Sequence, residues 1–225
     1  MKANVELQLI LKDWRLQRQL ITLTFVAGAT ALSILLIGTQ TPAVIGTVFF
    51  FVSMVFCACL LPMQNIVNER KKQTLAFVMS LPVSSARYGA AKLISTVGLF
   101  VILWLTLLGA GFFMILSRHV LPVGAIPAGL IIMNFPLIGF CLLTGTALVG
   151  ESEGWATAMM AVVNSSYWLA WYLLASRLPD LTKTWGGPVA VWSPAVVKIL
   201  VVEFAMILVI LGVTLYLQSR KRNFI

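Results

Sequence analysis

Gly150-Glu151-Ser152-Glu153-Gly154 spells the G-x-S-x-G of a nucleophile elbow, where a sharp strand-to-helix turn offers a serine to a nearby histidine. The elbow needs a strand before it and an imidazole within reach. The one histidine, His119, belongs to a connection on the opposite membrane face in the topology set out below, so acyl transfer is not expected. Beside Arg118, His119 reads as a solvated loop residue, because a metal site needs several converging donors. Cys57, Cys59 and Cys141 all lie inside apolar stretches, where a thiol is a small packing group; neither a disulfide framework nor a metal site follows. No G-x-x-x-x-G-K-[ST] run is present to cradle a nucleotide's phosphates, so catalytic residues are expected to be absent from the chain.

Glu203 is the one acid inside a long apolar run. It stands about eight residues into the last such run, roughly 12 Å from its outer end, where an unpaired carboxylate costs a few kcal/mol. Lys198, five positions earlier, is turned about 140° around a helix and is a poor partner. Another helix or a second subunit must satisfy the acid, which is either a functional residue or a structural acid. Asn164, Ser165, Ser166 and Tyr167 pose the same choice, with interhelical hydrogen bonding as the ordinary answer.

The elements that position these residues follow from composition. Of 225 residues, 60% are hydrophobic and 10% charged, and the mean hydropathy is +0.98. A water-soluble domain cannot hide that much apolar surface, whereas lipid solvates it and leaves only backbone polar groups to be satisfied, which an α-helix does by itself. The expected class is an all-α integral membrane protein forming one membrane domain over residues 1–225. Runs long enough to span about 30 Å of hydrocarbon cover Leu20 to Gly38, Ala43 to Ile66, Leu93 to Leu116, Ala125 to Val149, Ala156 to Ala175 and Ala195 to Leu217. The formal charge of +9 does not point to nucleic acid, because the cations sit between apolar runs. With six spans, twelve Lys and Arg fall on the side of the termini and four, Arg118, Arg177, Lys183 and Lys198, on the other. Both termini are therefore expected in the cytoplasm of a bacterial-type inner membrane.

The first 19 residues lack a charge-then-apolar-then-cleavage design and are expected to be retained. Val5, Leu9, Leu16 and Leu20 recur near helical spacing among Lys12, Asp13, Arg15 and Arg18, with Trp14 as an anchor. This predicts an amphipathic interfacial helix over residues 1–19, or simply an N-terminal anchor. Residues 176–194, with Pro179, Gly186, Gly187, Pro188, Trp185 and Trp192, read as an external re-entrant or interfacial hairpin.

The loop over residues 67–85 opens charged at Asn68-Glu69-Arg70-Lys71-Lys72 and turns apolar. Leu75, Val78 and Met79 fall on one side of a short helix and Phe77 and Leu81 on another; Pro82 stops it and Ser84 or Ser85 can cap the next. A short cytoplasmic helix with an apolar ridge and a charged lead-in is a docking element. Glu69-Arg70, Thr74-Leu75, Ser80-Leu81-Pro82-Val83-Ser84 and Ala91-Lys92-Leu93, with Leu11-Lys12-Asp13-Trp14-Arg15 upstream, resemble the pattern of ABC-2 type permeases over essentially the whole chain. The resemblance implies a coupling helix seated in a soluble ABC ATPase subunit, a second permease copy or paralogue, and ATP and magnesium held by that ATPase rather than by this chain. It implies ATPase contacts at Glu69, Arg70, Thr74, Leu75, Phe77, Leu81 and Pro82, with a minor one at Glu151 and Glu153. In such a protein the polar residues inside the spans, Glu203, Asn164 and Tyr167, are the candidates for a translocation path or gate. An amphiphilic cargo, a peptide, lipid or drug, suits the short external loops. The alternatives are an intramembrane enzyme, although the spans hold only Glu203 among acids and no histidine, a secondary transporter, or a non-transporting assembly factor.

Overall fold

The computed structural model describes residues 2–71, 85–150, 152–177 and 184–220, and all regular structure among them is helical. Six long helices follow in order: α1 Lys2–Leu35, α2 Gln40–Pro62, α3 Ser85–Arg118, α4 Ala125–Val149, α5 Glu153–Arg177 and α6 Pro194–Arg220. The helical path of α2 goes on through a π-helical segment, Met63–Val67, and a last turn, Asn68–Lys71. Pro62 explains the change: it has no N–H for the carbonyl one turn back, and its ring crowds that carbonyl, so the ladder re-forms with a wider turn. The wider turn buries Asn65, Ile66 and Val67 in succession. At the start of α6, Pro194 occupies the first turn, where its missing N–H costs nothing, and the Ser193 hydroxyl accepts from Val196 N–H.

α4 is the hub. It packs against α6, α5, α2 and α3, while α1 packs against α2 and α3. Phe100 and Phe140 stack at the centre with ring centroids 4.2 Å apart, and the Trp104 indole donates to Met133 O at 2.8 Å. In lipid this close fit, and not escape from water, is what holds helices together. Small residues permit it: a Cβ on Gly139 would strike the Tyr167 hydroxyl and the Val163 side chain, so α5 rests directly on the α4 backbone.

The order of contacts fixes the topology. Asn134 meets Glu203, and Gly145 meets Thr214, so eleven residues along α4 match eleven along α6 and the two helices run parallel. α5 lies between them in sequence and must carry the chain back along the bundle; its 25 residues are about 37 Å long, enough for the full height. One end of the bundle gathers Asp13, Glu69, Lys92, Leu148, Glu153 and Gln218, and the other gathers Leu35, Gly46, Gly124 and Trp185.

Two sequence expectations meet a different local picture. The stretch 1–19 is continuous with the first apolar run in one helix, α1, and its polar residues Asp13 and Gln17 are buried in line with Leu20 and Thr24. Their i, i+4, i+7, i+11 spacing is one face of a single helix, and that face needs polar partners, which the bundle provides. Among the described residues five helices are long and apolar enough to cross a membrane, Leu7–Leu35, Gln40–Lys71, Arg87–Arg118, Ala125–Val149 and Pro194–Arg220. The expected fifth run is present as a helix, α5, whose apolar run is interrupted by Thr157, Asn164, Ser165 and Ser166.

Candidate functional site

Lys92, near the start of α3, is only 4% exposed, and an ammonium in such a place needs three acceptors for its three protons. Three residues supply them: Asp13 on α1 with both oxygens at 2.8 and 2.9 Å, Asn65 on the π-turn with Oδ1 at 3.1 Å, and Glu69 on the last turn with Oε2 at 2.9 Å. Glu69 in turn accepts from Lys12 Nζ at 2.8 Å and from the Tyr88 hydroxyl at 2.9 Å. Asn65 Nδ2 donates to Thr96 Oγ1 at 2.6 Å. Among the described residues, two ammonium groups and two carboxylates thus form a neutral knot joining α1, the end of α2 and α3.

The next residues extend it. Arg70 donates through Nη1 to Ala147 O at 2.9 Å and through Nη2 to Leu148 O at 2.8 Å. These carbonyls end α4 and have no intrahelical donor; a forked cation there meets both the orphan groups and the negative end of the helix dipole. Lys71 Nζ lies 3.2 Å from Glu153 in the first turn of α5, an exposed pair worth under about 1 kcal/mol. Glu153→Gln should therefore shift the unfolding midpoint by no more than about 2–4 °C, a change that scanning calorimetry of the detergent-solubilised protein resolves.

The sequence-predicted docking residues divide accordingly. Thr74, Leu75, Phe77, Leu81, Pro82 and Glu151 lie outside the described residues. Glu69 and Arg70 are placed in the bundle's own polar network, and Glu153 is paired with Lys71. Sequence reasoning missed Asp13, Asn65, Tyr88 and Thr96. The signal for Asp13 was its place on the Leu20 stripe; for Asn65 it was the proline three residues earlier.

At the opposite end a cleft of about 520 Å³ opens between α2, α4 and α5, with walls from α1 and α3. Phe51 and Val55 of α2, Met133 of α4 and Asn164, Tyr167 and Trp171 of α5 are among its walls. Phe51 and Tyr167 meet edge to face at 5.8 Å, and Trp171 meets Trp185 the same way at 6.4 Å. Asn164 donates to Met160 O at 2.8 Å, so its amide N–H is used within α5. Asn164 and Tyr167 therefore share one site, whereas Glu203 is turned toward Asn134 and does not line the cleft. No group of three or more metal-binding side chains occurs among the described residues.

A bundle with an ion knot at the root of one loop and an apolar cleft at the far end fits a membrane transport component. The description "ABC-2 family transporter protein" matches residues 8–221. The chain belongs to that family. Comparison with curated proteins and with solved structures returned no match. As an ABC-2 family member with several helices able to cross a membrane, it is a multi-pass permease subunit, and such subunits work beside an ABC ATPase. The ion knot and the Arg70 fork flank the loop that carries the family-like motif.

Proposed function

We propose that the chain is the transmembrane subunit of an ATP-driven exporter in a bacterial-type inner membrane, working as a homodimer or paired with a paralogue. In this reading all six long helices span the bilayer and both termini are cytoplasmic, which the parallel run of α4 and α6 supports because α5 must return between them. A soluble ATPase, which holds the ATP and magnesium, seats on residues 72–84 through Thr74, Leu75, Phe77, Leu81 and Pro82, with Glu151 and Glu153 as a secondary contact. Glu69 and Arg70 act at the root of that loop.

The observation that carries the proposal is the grip on the loop's root. Glu69, Arg70 and Lys71 are consecutive and reach α1, α3, α4 and α5. A push on residues 72–84 enters four helices within one turn of chain, which is what coupling of ATPase closure to the bundle needs. The aromatic cleft suits the apolar part of an amphiphile, with Asn164 as its polar edge.

The test is affinity purification of the tagged chain from native membranes. The wild type should bring down an ABC ATPase and vanadate-sensitive ATP hydrolysis, and Leu75→Asp should reduce both at least tenfold while the chain remains folded. Equal recovery with Leu75→Asp, or no ATPase with the wild type, refutes the reading.

A further inference from the structure

Glu203 is 4% exposed on α6, and its Oε2 accepts from Asn134 Nδ2 of α4 at 2.8 Å. The other two heteroatoms of the pair, Glu203 Oε1 and Asn134 Oδ1, are both enclosed and both without a hydrogen-bond partner among the described residues. A carboxylate oxygen and an amide oxygen are both acceptors, so neither can satisfy the other. Two enclosed acceptors left over on one hydrogen-bonded acid–amide pair lack a proton, and the carboxyl group can carry it.

Among the described residues no cation is set against the pair. α4 contains no Lys, Arg, His, Asp or Glu, and its one titratable side chain is the buried Cys141. α3, the other helix packed on α6, has Arg87, Tyr88 and Lys92 at one end and Arg118 at the other, with Lys92 bound to Asp13 and Glu69. On α6 itself, Lys198 is exposed, and Arg220 lies over the Tyr216 ring far along the helix. With the partners found among the described residues, an ionised Glu203 would be a buried anion with one hydrogen bond and no cation, a costly arrangement inside a membrane.

We propose that Glu203 binds a single proton on Oε1 and donates it to Asn134 Oδ1. Asn134 Nδ2–H to Glu203 Oε2 and Glu203 Oε1–H to Asn134 Oδ1 then close a ring of two hydrogen bonds between acid and amide. Every polar atom of the pair is satisfied, the net charge is zero, and α6 is clasped to α4 at a fixed register. The site is a proton-binding clasp, distinct from the cleft, and it does not depend on what the protein transports.

Infrared difference spectroscopy of the protein in proteoliposomes at pH 7 tests this. Wild type minus Glu203→Gln should contain the carbonyl stretch of a protonated carboxyl, and Asn134→Leu should move that band to higher frequency by removing the hydrogen bond to Oε2. A difference spectrum that instead shows loss of the carboxylate stretches overturns the proposal. If Glu203→Gln does not fold, the Asn134→Leu comparison decides alone: a shifted protonated-carboxyl band supports the clasp, and an unshifted or absent one refutes it.

Discussion

Lys92→Met should unfold the protein more readily than any other single change in the polar network. The substitution keeps most of the side chain's length but takes from Asp13, 4% exposed, the ammonium it shares with Glu69, while among the described contacts Lys12 stays on Glu69 alone. Stripping one partner from a buried ion pair costs about 3–5 kcal/mol, and for a chain of this length each kcal/mol moves the midpoint by roughly 2–4 °C, so a fall of about 6–20 °C is expected. Thermal unfolding of the purified protein, followed by circular dichroism in detergent, measures it. Asp13→Asn combined with Lys92→Met should recover much of the loss, because the leftover Lys12–Glu69 pair is balanced and a buried pair replaced by neutral groups is often near neutral in stability. A fall below about 3 °C for Lys92→Met, or no recovery in the double variant, would mean that the knot is not what ties α1 to α3.

The knot also shows where reading the sequence stops. Long apolar runs mark α2, α3, α4 and α6 because the bilayer imposes a length and a hydropathy that few other structures need. α1 is harder. Its first half carries enough charge to resemble a helix lying on the membrane, and what overrides that pattern is Lys92, 79 residues away in the chain. Periodicity places Asp13 on a face; it does not say what faces it. Glu69 and Arg70 pose the same problem in reverse, since a charged lead-in before an apolar ridge suggests a partner protein, while the carboxylate and guanidinium are occupied by α1, α3 and the end of α4. For Glu203, depth in the last apolar run was enough to demand a partner from another helix, and Asn134 is that partner. Asn134 itself gave no signal, being one amide in an apolar helix.

Gly139→Ala is the second variant with a large expected effect. Its methyl group would collide with the Tyr167 hydroxyl and come within 2.5 Å of Val163 Cγ1, in a place where α4 backbone and α5 side chains already touch. Overpacking of this kind costs about 1–3 kcal/mol, which again reads as several degrees in the midpoint. The companion change is Tyr167→Phe. The Tyr167 hydroxyl is enclosed and has no hydrogen-bond partner among the described residues, so removing it should be neutral or stabilising, and it vacates the space the new methyl needs. The double variant should regain at least half of the loss, with a coupling energy above about 0.5 kcal/mol. Because Tyr167 also rests edge-on against Phe51, the single Gly139→Ala change should alter the cleft wall as well, seen as a shift in emission from Trp168 and Trp171. Additive effects of the two substitutions would show that α5 does not bear on α4 at this point.

The 79-residue separation of Asp13 from Lys92 has a consequence for biogenesis. A ribosome adding roughly 5–20 residues per second leaves the acid without its counter-charge for about 4–16 s after it emerges. Through that interval α1, with buried polar side chains at Asp13, Gln17 and Thr24, has nothing to neutralise its inner face. Its final seating must wait for the third helix, so an insertase or chaperone that shelters the nascent N-terminal segment would act before α3 is made and let go once it is.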